Sequence, residues 1–214
     1  ADEIAAAGGQ AIFVRADPIV ESDVKAAVDV ARSFWGRVDI AIGTPNDARP
    51  GLCHETTSED FDLAMRFNAR SLFNLGKHAI AAMLENREPA GGALVFLASI
   101  YGFVSGSVSV GHEVSKTTAV ALGKALGERY ASKGVRVNVI AAGHVRARER
   151  GLEWEFGDDT VKDEAEAKRL AAFYPAGRIA EPEEIVRAAM FLASDEASFV
   201  NASVLHVDGG FLAR

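Results

Sequence analysis

Ser99, His112 and Lys116 are of residue types that could act on a substrate oxygen. His112 lies thirteen residues after Ser99, and Lys116 four residues after His112. On a helix the last two share one face. A serine hydroxyl can hold a substrate oxygen by a hydrogen bond, and an imidazole can take up or release a proton near neutral pH. An ammonium one turn away disfavours the imidazolium, so His112 is expected to be a neutral base more often than an acid. That polarity suits proton abstraction or alcohol oxidation better than carbonyl reduction. Asn68, in the middle of an apolar-faced helix, is a fourth polar candidate; its plainer role is to satisfy a kinked backbone.

Other polar residues carry weaker signals. Asp17 ends an apolar run, as either a ligand contact or an ordinary turn residue. His54, His78 and His206 have no metal-ligand spacing and read as structural, so no metal site is expected. Cys53 is the lone cysteine, which excludes an internal disulfide, and it reads as an inert thiol. Glu153, Glu155, Asp158 and Asp159 cluster in one charged stretch and read as a solvated face.

The elements that position these residues alternate. Ala1 to Ala7 reads as the last turns of a helix, closed by Gly8-Gly9. Strands are expected at Ile12–Val14, Val38–Ile42, Leu94–Leu97, Val135–Val139 and Val204–Val207, each a short apolar run. Between them helical spacing predicts helices from Ser22 to Trp35, from Thr57 or Ser58 to Met83, and from Ser115 to Ser132. A further helix opens with Pro182 in its first turn. Nearly continuous apolar strands alternating with helices call for an α/β fold, a doubly wound parallel sheet. With 214 residues, one domain spanning 1–214 is expected, with 144–178 as a substrate loop or lid.

Ser99, His112 and Lys116, followed by Val135-Arg136-Val137-Asn138-Val139, resemble the active-site stretch of the short-chain dehydrogenases/reductases. Pro182-Glu183-Glu184-Ile185, Phe191-Leu192-Ala193-Ser194 and His206-Val207-Asp208-Gly209-Gly210 resemble that superfamily's C-terminal signature. The resemblance runs along the whole chain. It implies a Rossmann-type sheet of order 3-2-1-4-5-6-7 and an oxidoreductase using NAD or NADP on a small alcohol or carbonyl. It further implies a catalytic set of Asn68, Ser99, His112 and Lys116, and cofactor contacts from Asp17, Lys116, Gly143 and Val145. A homodimer or homotetramer built on the two long helices is also implied.

The sequence departs from that pattern at several points. The first strand, the Gly-x-x-x-Gly-x-Gly loop and the second strand are absent, so an N-terminally incomplete domain, by roughly 40 to 50 residues on the family's size, or a reorganised fold is expected. Binding of a dinucleotide by these 214 residues alone is therefore not expected. Asn-Asn-Ala-Gly is replaced by Gly43-Thr44-Pro45-Asn46, Pro-Gly by Ala142-Gly143, a threonine by Ala147, and the catalytic tyrosine by His112. Three functions stay open: an oxidoreductase, a non-redox descendant in which Ser99 and His112 transfer protons, and an inactive scaffold kept for its oligomer interface. Ala119, Gly123 and Gly127 either permit helices of two copies to approach or pack on the sheet.

Bulk properties narrow the partners. A net charge of -7 opposes broad attraction to nucleic acid or anionic lipid. No apolar run reaches the roughly 20 residues that span a bilayer. A small-molecule substrate and a cytoplasmic location are expected.

Overall fold

The computed structural model describes residues 1–107, 109–146, 160–161 and 163–213. Helices α1 (Asp2–Ala6) and α2 (Glu21–Trp35) precede strand β1 (Ile40–Gly43), and α3 (Ser58–Met65), a π turn (Arg66–Arg70) and α4 (Ser71–Met83) lead to β2 (Gly92–Ser99). Then come α5 (Val110–Tyr130), β3 (Val135–Ala142), the short pair β4 (Val145–Arg146) and β5 (Thr160–Val161), α6 (Glu164–Ala171), α7 (Pro182–Ala193) and β6 (Val204–Val207).

The main sheet is parallel with order β1-β2-β3-β6. Its strands alternate their side chains between two apolar layers, as the period of two requires. Leu94, Phe96, Val137 and Val139 face α4 and α5, packing on Leu72, Ala79, Met83 and Ala119. Val95 and Ile140 face α7, packing on Ile185, Leu192 and Ala193. The doubly wound architecture is thus present, and four of the five expected strands form close to their expected bounds.

The fifth does not. Residues 11–14 form no strand and join no sheet, and Phe13 is 83% exposed. A strand needs a neighbour to satisfy its backbone. In the order implied by the resemblance two strands lie between this segment and β1, and among the described residues neither exists. As a result β1 is the sheet's edge, with Ile40 and Ile42 exposed. Between β1, α2 and α4 runs an apolar groove of about 480 Å³, lined by Val24, Val28, Ile40, Ile42, Leu72 and Leu75 among others.

Helix α2 starts at Glu21, one residue ahead of its expected start, with Val20 at the N-cap, and Asp17 ties the entry turn by accepting the Ile19 N–H at 3.0 Å. Of the two readings of Ala119, Gly123 and Gly127, packing within the chain is the one the structure displays. Ala119 is fully buried, and a Cβ on Gly123 would strike Val139, while one on Gly127 would lie 2.8 Å from the Ala202 backbone. Pro182 does open α7, behind Glu181, which forms a capping box with Glu184. The cluster Glu153, Glu155, Asp158 and Asp159, and Ala147, lie outside the described residues.

Candidate active site

Ser99 is the last residue of β2, paired in register with Ala142 of β3, and is fully buried. Its Oγ accepts the Tyr101 N–H at 3.2 Å, which caps a short turn after the strand. The Tyr101 ring in turn meets the His112 ring edge to face, with centroids 6.2 Å apart. His112 lies in the first turn of α5, capped by Ser109, whose hydroxyl accepts the His112 N–H at 3.2 Å. Ser99 and His112 therefore gather at the carboxyl ends of the strands, where open α/β sheets place their ligands. Tyr101 stands beside both.

The loop after β1 braces the rest. Asn68 is fully buried in the π turn, where the extra residue aims its side chain inward. Its Nδ2 donates to the Asp47 carbonyl at 2.7 Å and to Ser115 Oγ at 2.9 Å, and its Oδ1 accepts the Asp47 N–H at 2.9 Å. His112 Nδ1 lies 3.2 Å from the same Asp47 carbonyl. A carbonyl only accepts, so in this contact Nδ1 carries the proton and the neutral ring keeps its lone pair on Nε2. Lys116, 2% exposed, donates from Nζ to the Pro45 carbonyl at 2.7 Å.

Sequence reasoning did not single out several of these partners. Asp47 and Ser115 act here through contacts 65 and 47 residues away, from His112 and Asn68 respectively. Neither carried a local signal. Nor did a buried aromatic chain beside the site. Tyr101 Oη lies 3.4 Å from His144 Nε2, and His144 Nδ1 lies 2.6 Å from Tyr174 Oη, which also accepts the His144 N–H at 2.8 Å. Tyr174 Oη thus meets both the backbone and the ring of His144, and the ring's other nitrogen faces Tyr101.

Of the residues expected to contact a dinucleotide, Asp17, Gly143 and Val145 each make contacts within the chain. Asp17 is exposed and holds its own turn. Gly143 gives its N–H to Val207 at 3.0 Å and lies against Tyr174, where a Cβ would come within 2.9 Å of the ring. Val145 pairs with Thr160 and bridges to Ala180. The groove beside β1 is lined almost wholly by apolar side chains, with Thr44 and Ser71 as its hydroxyls. It offers a diphosphate neither a cation nor a glycine-rich run of amides. Among the described residues the donor set does not fit the phosphates of a dinucleotide.

The remaining histidines are accounted for structurally: His78 bonds Glu21 at 3.2 Å, His206 packs on Phe103, and His54 is exposed. Cys53 is a free, exposed thiol. Among the described residues, no group of three or more His, Cys, Asp or Glu could hold a metal ion. No helix among them is long and apolar enough to cross a membrane.

Comparison with known proteins places this geometry. The family model described as enoyl-(acyl carrier protein) reductase matches residues 1–212. An A-factor type gamma-butyrolactone 1'-reductase (1S-forming) of Streptomyces virginiae is 37% identical over 214 residues, 98% of this chain and 79% of that protein. A protein of Xanthobacter autotrophicus named inactive 2-(S)-hydroxypropyl-CoM dehydrogenase 2 is 35% identical over 206 residues, 96% of this chain and 87% of that one. Among solved structures, a short-chain type dehydrogenase/reductase from Mycobacterium marinum superposes with a TM-score of 0.86 at 25% identity, covering 100% of this chain and 80% of the other.

Proposed function

The chain belongs to the short-chain dehydrogenase/reductase superfamily of oxidoreductases, and from that membership we propose that it oxidises a small alcohol to its carbonyl at the Ser99–His112 site. The observation that carries this reading is the His112 contact with the Asp47 carbonyl, because it leaves the lone pair on Nε2. The Ser99 hydroxyl would hold the substrate oxygen and the hydroxyl proton would pass to Nε2, while the hydride of the carbinol carbon would go to a nicotinamide cofactor of the kind the superfamily draws on. Asn68 and Lys116 act by fixing the loop that sets the ring, through Asp47 and Pro45.

The superfamily generally draws on NAD or NADP. Because the described residues do not cradle the phosphates, what they account for is the proton and the substrate oxygen. The single domain of 1–214, the lid role of 144–178, the cytoplasmic location and the assembly into homodimers or homotetramers belong to the same proposal.

The test is a panel of small secondary alcohols given to the whole protein with NAD or NADP, scored by ketone formed. Oxidation is expected, with His112→Gln lowering kcat about 10²–10⁴-fold, the usual worth of a positioned base. Absence of ketone from every alcohol, or full activity in His112→Gln, overturns the reading.

A further inference from the structure

His112, Asn68 and Lys116 all bond to the loop after β1, and all three reach its backbone. Any residue could supply those carbonyls. Only an acidic side chain could also bring a negative charge, and Asp47, 4% exposed, brings one into the site. Burial pushes its carboxyl above the ordinary range, while Arg49 and then the His112 imidazole draw it back. Arg49 meets it at 3.6 Å but is shared with Asp60 at 3.3 Å. A carboxylate in such a place is costly unless it balances charge.

We propose that Asp47 is the positioning and charge-balancing residue of this site: its carbonyl sets the His112 ring, and its carboxylate offsets the charge the ring gains on taking a proton. The proposal rests on the alcohol-oxidising reading given above. In that step the substrate O–H bond breaks as an Nε2–H bond forms, the carbinol C–H hydride would pass to a nicotinamide cofactor of the kind the superfamily draws on, and the ring becomes a cation one helical turn from the buried ammonium of Lys116. The ring meets the Asp47 carbonyl and the Tyr101 ring, with Lys116 one helical turn along α5, Arg49 beside the Asp47 carboxylate and Asp60 of α3 behind Arg49. Two neighbouring buried cations repel strongly, and a buried carboxylate on the residue whose own carbonyl meets the ring relieves that repulsion.

Asp47→Asn keeps the backbone carbonyl and the side-chain shape and removes the charge. It is read in the whole protein by the rate of alcohol oxidation against pH and by the ¹⁵N shifts of the His112 ring against pH. A carboxylate favours the charged ring, so its loss is expected to move the acid limb of the rate profile to lower pH by about 1 unit. The ring shifts should move in the same direction, kcat should fall about 10-fold or more with little change in KM, and Asp47→Glu should restore much of the rate. Rate profiles and ring shifts that coincide with those of the unaltered protein overturn the proposal. Loss of rate with an unmoved ring course does so as well, since it assigns Asp47 a structural role only. If the protein oxidises no alcohol, the functional reading fails and the ring shifts alone decide the role of Asp47. Should Asp47→Asn not fold, Asp47→Ser carries the same test.

Discussion

Asn68 and Asp47 are joined by two hydrogen bonds that run in opposite senses, amide to carbonyl at 2.7 Å and backbone N–H to Oδ1 at 2.9 Å. Asn68→Ala removes both, along with the donation to Ser115, in a fully buried setting. The expected cost is about 2 kcal/mol or more, seen as a lower urea midpoint. Asn68→Asp should be no milder, because an ionised carboxylate cannot donate to the Asp47 carbonyl.

Tyr174 holds His144 twice, accepting its N–H and facing its Nδ1. Tyr174→Phe keeps the packing on Phe211 and removes the hydroxyl. About 1–3 kcal/mol of stability should be lost, measurable by chemical unfolding. An unchanged midpoint would show that the Tyr101–His144–Tyr174 chain contributes nothing to the fold.

Arg178 holds the Glu184 carboxyl down to about 2, helped by the Glu181 N–H. Relative to an ordinary value of 4.5, this stabilises the fold above that pH, and the contribution fades as pH falls through about 2. The Arg178 side chain is 59% exposed, so added salt should weaken the effect. Urea midpoints of the unaltered chain and Glu184→Gln should differ at pH 6 and converge towards about pH 2.

The groove beside β1, with no cation and no glycine-rich run of amides in its lining, is expected to hold neither NAD nor NADP usefully. A diphosphate seated there would leave its hydrogen bonds unmade, each at a cost on the order of 1.5 to 3 kcal/mol. Titration calorimetry with both nucleotides checks this. A dissociation constant at or below about 10 micromolar would mean that the groove beside β1 accepts phosphates by a route its lining does not suggest.

What could be read from the sequence divides along a physical line. Apolar runs such as Leu94–Leu97 and Val135–Val139 specify buried strands because burial itself is their signal. The run at Ile12–Val14 carries the same signal and fails, since a strand also needs a hydrogen-bonding neighbour that local pattern cannot supply. Ser99, Asn68 and Lys116 are legible through the family resemblance that their stretches carry. Asp47 is not, because it grips His112 and Asn68 through its backbone, which is the same for every residue type. Tyr101, His144 and Tyr174 meet across 43 and 30 residues, beyond any periodicity.

The open flank of β1 has a consequence for how copies of this chain behave together. Its four residues turn one row of amides and carbonyls outward, beside the exposed side chains of Ile40 and Ile42. A net charge of -7 keeps copies apart at long range, but physiological salt screens that repulsion within about 8 Å. Strand pairing acts at about 4.8 Å, inside the screened distance. Unless another strand lies along this flank, raising the salt should hasten aggregation.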